Sequence, residues 1–338
     1  MDTRLVVLGA GSWGLALSRL LGNKNYSVNL WDIDQEAITF LQQNHRHPRL
    51  LPGIELPNNV HPIHSLEEAL NNAHYAIITV PSHAVRSLCK QLKPLISNDL
   101  TLINCAKGLD IESLQTMSEV IHDVLPDHSL DRIVVLSGPS HAEEVSRDIP
   151  TTVTISGNKL DHIQEIQDIF STAQFRVYTN PDIIGVEMGG SLKNVIAIAA
   201  GACDGMGFGD NTKAALITRG LAEITRLGVK RGGNPATFSG LSGLGDLIVT
   251  CMSQHSRNRK FGELRAKGYT TEEALKEIGM VVEGLNTTDS GKRLADKLNV
   301  EMPIINEIYQ VIYNNKPVEK AVLDLMTRNP KSENEIYA

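Results

Sequence analysis

Cysteine is scarce and poorly placed for cross-linking. Cys89, Cys105, Cys203 and Cys251 are widely spaced and contain no CxxC pair. In a chain of 338 residues, long enough to build its own core, that spacing points to neither a disulfide framework nor a metal site, and it suits a reducing cytoplasm. A surplus of positive charge is missing too. Lys and Arg total 32 against 39 Asp and Glu, a formal charge of -7, so no global field exists to hold nucleic acid or an anionic membrane; any anion site must be local. Aromatics are 4% of the chain and offer no stacking platform for bases. Long hydrophobic runs are absent as well. The most apolar stretch, residues 195–202, falls short of the ~20 residues that cross a bilayer and is flanked by Lys193 and Asp204, so a buried core helix is expected, without membrane insertion. At the N-terminus the chain runs directly into an apolar segment at 5–8 and a glycine turn, too short for a signal core, and no leader is expected.

What remains is an ordinary globular composition, 41% hydrophobic and 21% charged, with room for about two domains. The first half alternates short β-branched runs with helical stretches, which predicts a mainly parallel sheet with helices on both faces. Strands are expected at 5–8, 27–31, 76–80, 100–105, 133–136, 151–155 and 175–178. Beyond Asn180-Pro181-Asp182 the β-branched runs stop and helical spacing takes over at 214–227, 271–278, 287–298 and 304–312. Thr270-Thr271-Glu272-Glu273 reads as a helix start. The boundaries are therefore 1–183 for an α/β domain and 184–338 for an all-α domain, with the polar tail from Lys331 to Glu335 expected to fray.

Gly9-Ala10-Gly11-Ser12-Trp13-Gly14 is a GxGxxG turn directly after a strand and opening a helix. Gly9 permits the tight turn, Gly11 removes the Cβ that would block a pyrophosphate, and Gly14 lets the helix pack on the sheet. The diphosphate would sit on unpaired helix N–H groups. The first domain is thus expected to be a Rossmann-like dinucleotide-binding fold. Asp32, at the end of the second strand, either accepts hydrogen bonds from the adenine-ribose hydroxyls or caps a loop. In the first role it would repel a 2′-phosphate and favour NAD over NADP, with Asp34, Arg46 and Arg49 near enough in sequence to alter the choice.

Other polar groups must carry the reaction. Lys107 follows a strand at the sheet's carboxyl edge, facing nicotinamide and substrate or simply solvent. The turn 137–145, with Gly138, Ser140 and Ala142, could line the cofactor or hold a polar substrate; its His141 reads equally as a base or as a structural histidine. Lys193 precedes one of the most apolar runs in the chain, as a desolvated amine or a snorkelling one. Lowering a lysine to roughly 7–8 costs about 4 kcal/mol of destabilised charge. Asp246, amid glycine and apolar residues, either caps the helix at Leu247 or takes a cation, for which Lys193 is the candidate; the sign of the resulting pKa shift is open at this level. Arg257, with Ser256 and Asn258, could grip a phosphate, while Arg259, Lys260, Arg265 and Lys267 are expected on a solvated helix face.

Taken together, the segments at Gly9 (GAGSWG), Cys105 (CAKGL), Ser137 (SGPSHAEEV), Ser191 (SLKNV), Gly243 (GLGDLIVTC), Ser256 (SRNRKFG) and Val282 (VEGLNT) make the chain resemble the bacterial NAD(P)-dependent glycerol-3-phosphate dehydrogenases over nearly its full length. The resemblance implies reversible hydride transfer between NAD(P)H and dihydroxyacetone phosphate, giving sn-glycerol 3-phosphate for phospholipid synthesis. It implies Lys193 as the proton-transfer residue, with Lys107, Gly138, Ser140, Asp246, Ser256, Arg257 and Asn258 around the substrate. It adds Ser12, Trp13, Ala142, Arg257, Val281 and Glu283 to the cofactor side. Where many relatives carry His or Arg two positions after the strand-end Trp, this chain has Trp31-Asp32-Ile33-Asp34. Two rivals are a hydroxyacid dehydrogenase of the same plan, which would need an arginine for a carboxylate, and a non-catalytic dinucleotide sensor. Exposed apolar faces on the helical domain would suit a homodimer.

Overall fold

The computed structural model describes residues 3–330 together with 332 and 333. Lys331, Asn334 and Glu335 of the polar tail lie outside the described residues. The chain forms two compact units, Met1–Ala106 with Met117–Ile183, and Lys107–Thr116 with Ile184–Ala338.

In the first unit eight short apolar runs become strands: β1 (Arg4–Leu8), β2 (Ser27–Trp31), β3 (Val60–Ile63), β4 (Tyr75–Ile78), β5 (Thr101–Asn104), β6 (Ile133–Ser137), β7 (Thr151–Ser156) and β8 (Phe175–Asn180). They form one sheet in the order β3-β2-β1-β4-β5-β6-β7-β8. All neighbours are parallel except β6 and β7. Helices α1 (Ser12–Asn23), α2 (Gln35–Asn44), α3 (Leu66–Leu70), α4 (Ser82–Leu92), α5 (Met117–Val124), α6 (Ala142–Val145) and α7 (Leu160–Phe170) connect the strands. Alternation along a strand fills two cores: Leu5 and Val7 join Leu17 and Ile163 on one face, while Val6 and Leu8 join Val85 and Leu102 on the other. The strand order reverses between β1 and β4, so this Rossmann-like sheet has its switch point where β1 runs into the glycine turn. Strand β3 is the one the sequence did not announce. Its core is Val60-His61-Pro62-Ile63, and proline, which cannot donate to a ladder, is tolerated because β3 is the edge strand.

The second unit is helical: α8 (Ile183–Gly205), α9 (Asp210–Lys230), α10 (Pro235–Phe238), α11 (Asp246–Met252), α12 (Arg257–Ala266), α13 (Thr271–Ile278), α14 (Glu283–Leu298), α15 (Pro303–Tyr313) and α16 (Val318–Met326). The apolar stretch at 195–202 is only part of α8, which has 23 residues and is long and apolar enough to cross a membrane. Residues 185–203 are all buried, so α8 is the helix around which this unit packs, and Val195, Ile196 and Ile198 meet Leu227, Phe261 and Ile305 in its core. At α13 the Thr270 side chain accepts the Glu273 N–H while Glu273 returns the bond, a capping box.

A less usual cap starts α15. Its own N-cap residue, Met302, offers no side chain, and Glu223 of α9 supplies one instead, accepting the N–H groups of Ile304 (2.8 Å) and Ile305 (3.3 Å). Glu223 is 3% exposed, and burial pushes its carboxyl up to about 7 although both N–H bonds pull it down.

The segment Lys107–Thr116 corrects the expectation of an unbroken first domain. Leu109 and Leu114 bury in the helical core, which draws this post-strand loop into the second unit. Ten residues with two leucines carry no periodic signal.

Candidate functional site

The glycine turn in the first unit is built for an anion. Gly9 has φ +118°, and a Cβ there would lie 3.0 Å from both Thr79 Oγ1 and the Val80 N atom. A Cβ on Gly14 would come within 1.9 Å of the Gly9 carbonyl oxygen. Gly11 differs: a Cβ would meet nothing within 4 Å, so the missing methylene faces open space rather than a neighbour. Gly11 is also the N-cap of α1, which has no side-chain cap and no acid in its first turn, where Ser12 and Trp13 lie. Uncapped N–H groups beside a cradle that a Cβ would fill fit the pyrophosphate of a dinucleotide. The Asp32 carboxylate accepts the Ala10 N–H at 2.5 Å and the Asp34 N–H at 2.9 Å. It therefore braces the glycine turn, and a carboxylate retains further acceptor positions after two such bonds.

Gly138 follows β6 with φ +132°, and Ser140 Oγ donates to its carbonyl at 3.0 Å. Ala142 opens α6, where His141 occupies the N-cap position without capping through its ring.

The second unit gathers the ionisable groups. Lys193 Nζ donates to Asp246 Oδ1 at 2.6 Å and to Thr250 Oγ1 at 2.6 Å, and Lys107 Nζ donates to Asp246 Oδ2 at 2.7 Å. Helix α8 presents Lys193, the 107–116 segment presents Lys107, and a π-helical turn (Leu241–Gly245) delivers Asp246 to the first position of α11. Thr250, one helical turn further on, donates its hydroxyl proton to the Asp246 carbonyl at 2.6 Å, which leaves its lone pairs for the ammonium. Lys193 is 6% exposed and Asp246 1%.

The sign that sequence left open is now resolved. Burial is the largest influence on Lys193, and although Asp246 pulls upward, burial with Lys107 takes the ammonium down to about 8. Burial pushes the Asp246 carboxyl up, but the two ammonium groups outweigh it and hold the carboxyl below its ordinary value. One carboxylate thus lies between two ammonium groups, which can attract an electron-rich oxygen.

Ser256 caps α12, its Oγ accepting the Arg259 N–H at 3.2 Å, and exposed Arg257 is the first helical residue. Asn258 turns inward: its Nδ2 donates to Asn194 Oδ1 at 2.9 Å and its Oδ1 accepts the Gly284 N–H at 2.8 Å. That bond ties Arg257's neighbour to the residue next to Lys193. Val281 and Glu283 stand at the start of α14. Lys260 and Lys267 are exposed beside Glu263 as expected, whereas the two arginines are a correction: Arg259 pairs with Asp204 at 2.6 Å, and Arg265 donates to the Tyr269 and Val311 carbonyls. The cause is close packing on α8, which also buries Phe261 completely. Sequence reasoning passed over Thr250 and Asn194. Their only advance signals were the i,i+4 spacing from Asp246 and adjacency to Lys193.

Residues 4–163 match the family described as NAD-dependent glycerol-3-phosphate dehydrogenase N-terminus, and residues 182–323 match its C-terminus. A protein of Clostridium perfringens named glycerol-3-phosphate dehydrogenase [NAD(P)+] is 49% identical over 98% of this chain and 99% of its own length. A protein of the same name from Moorella thermoacetica is 51% identical over 97% of each. The crystal structure of glycerol-3-phosphate dehydrogenase from Coxiella burnetii superposes with a TM-score of 0.93 at 36% identity, covering 97% of this chain and all of that one.

Proposed function

The chain belongs to the NAD-dependent glycerol-3-phosphate dehydrogenase family, and we propose that in the reaction of this NAD(P)-dependent oxidoreductase Lys193 gives and takes the hydroxyl proton. The reaction is the reversible reduction of dihydroxyacetone phosphate to sn-glycerol 3-phosphate. When bound, the nicotinamide cofactor supplies or accepts the hydride. The observation that carries the proton-transfer role is the buried Lys193 amine on Asp246 and Thr250, with its pKa near 8.

Two of the three ammonium N–H groups point at these acceptors, so the third is available to the substrate's reacting oxygen. As an ammonium, Lys193 protonates the oxygen that gains charge during reduction; as an amine, it removes the hydroxyl proton in the reverse direction. Asp246 orients the amine. Lys107 keeps that carboxylate ionised, so the proton stays on Lys193 until the substrate takes it, and adds positive charge near the same oxygen. In the second unit Arg257 and Ser256 at the start of α12 are the phosphate ligands, with Asn258 beside them; in the first unit Gly138 and Ser140 are the substrate-binding residues. The cofactor is held by Gly9, Gly11, Ser12, Trp13, Gly14, Asp32, Lys107, Ala142, Arg257, Val281 and Glu283, with NAD favoured through Asp32.

Mutation of the two principal side chains tests this reading. Lys193→Ala should lower kcat by about 10²-fold or more, measured as loss of reduced-nicotinamide absorbance with dihydroxyacetone phosphate; near-normal turnover rejects the role. Arg257→Ala should cost about 3 kcal/mol in kcat/KM for the phosphorylated ketone. An unchanged preference for phosphorylated over unphosphorylated dihydroxyacetone rejects phosphate anchoring.

The same reading places the enzyme in the cytoplasm, feeding phospholipid synthesis, which four buried free cysteines suit. It includes a homodimer, for which Leu323 and Met326 of α16, 59% and 78% exposed, offer apolar surface.

A further inference from the structure

The carboxyl end of β2 holds more than Asp32. Asp34 caps α2, its Oδ1 accepting the Ala37 N–H at 3.0 Å, while its Oδ2 pairs with Arg49 Nη2 at 3.1 Å. Arg49 comes from the turn after α2, and that turn is pinned by His47, whose Nδ1 accepts the N–H groups of both Arg49 (3.1 Å) and Leu50 (3.0 Å). Two carboxylates and one guanidinium thus stand beside the strand end that meets the adenosine ribose in this type of fold.

We propose that the Asp34–Arg49 pair sets the choice between the two dinucleotides, Asp34 occupying a guanidinium that would otherwise receive a 2′-phosphate. With Asp34 ionised, a 2′-phosphate meets two negative charges and an arginine already engaged; a 2′-hydroxyl meets only acceptors. The arginine is not strongly held. Its side chain is 74% exposed, and such surface pairs are worth about 0–1 kcal/mol. A dianionic phosphate offers it a charge-assisted fork, so the guanidinium is ready to be redirected once Asp34 loses its charge. Asparagine caps helices as well as aspartate does, which allows the charge to be removed while the start of α2 is kept.

This inference rests on the dehydrogenase reading with a dinucleotide at the glycine turn, and the test reads binding rather than turnover. Calorimetric titration of the intact chain with NADH and with NADPH should show tighter NADH binding in the wild type. Asp34→Asn should tighten NADPH by roughly tenfold, as expected for one charge-assisted contact, and leave NADH nearly unchanged. Adding Arg49→Ala to that variant should cancel most of the gain, leaving only the relief of repulsion from Asp34. The inference is overturned if the wild type binds NADPH more tightly, if Asp34→Asn leaves NADPH binding where it was, or if the gain survives Arg49→Ala undiminished. Should neither dinucleotide bind, the dehydrogenase reading falls with it; binding of both with unaltered selectivity removes only the role of the pair.

Discussion

At the scale of single residues the decisive balance is on one amine. Lys193 would have an ordinary pKa near 10.5 in water, and burial lowers it to about 8 against the pull of Asp246. Reduction needs the ammonium and oxidation the amine, so the two directions should respond oppositely to pH. Across about pH 8, kcat/KM for oxidation of glycerol 3-phosphate should rise and kcat/KM for reduction of dihydroxyacetone phosphate should fall. Asp246→Asn removes the group that raises the amine's pKa, so both profiles should move toward lower pH in initial-rate measurements. Profiles that stay in place would separate the observed ionisation from Lys193. Lys193, Lys107 and Asp246 could be singled out as candidates in sequence, whereas the direction of the shift could not: desolvation and ion pairing oppose each other on Lys193, and only distances and burial decide between them.

At the scale of elements, the turn from β1 into α1 separates two kinds of glycine. Gly14 is required by packing, since a methyl group there would overlap the Gly9 carbonyl. Gly11 has an ordinary extended backbone, φ -66° and ψ 173°, and open space beside it. Gly14→Ala should therefore destabilise the protein by about 1–3 kcal/mol or more in denaturant titrations. Gly11→Ala should leave stability essentially unchanged while weakening dinucleotide binding by roughly tenfold or more, through lost phosphate–N–H contacts. Equal effects of the two substitutions on stability would count against the assignment. The motif was legible in sequence because each glycine has its own steric reason. By contrast, β3 was hidden by Pro62 at an edge position, and the full length of α8 by the polar Glu187, Ser191, Lys193 and Asn194 that interrupt its apolar pattern yet are buried. Burial of such groups depends on partners distant in sequence, which local periodicity does not report.

At the scale of the whole molecule, Glu223 gives stability a dependence on pH. Its folded-state pKa is about 7 against an ordinary 4.5, so the folded chain holds this proton more tightly than the unfolded one. The associated stabilisation is complete below about 4.5 and is lost as pH rises through about 7. Its size is at most about 3 kcal/mol. Glu223→Gln keeps an acceptor toward α15 without titrating, so the difference in unfolding free energy between wild type and variant should change over that window and level off above it. A constant difference from pH 4 to 8 would show that the carboxyl does not titrate there. The α/β-then-helical plan was legible from the switch in spacing near Pro181, while the excursion at 107–116 was not. Leu109 and Leu114 look like ordinary loop residues until the core that receives them exists.

That excursion limits how the gene can be cut. A fragment beginning after residue 183 would carry Lys193, Asp246 and Arg257 but would leave Lys107 behind, and with it two leucine plugs of its own interior. Asp246 would then keep only one of its two ammonium partners. Halves exchanged between relatives at that junction would import the donor's version of residues 107–116 with the front half, so a chimera inherits part of its rear chemistry from the wrong parent.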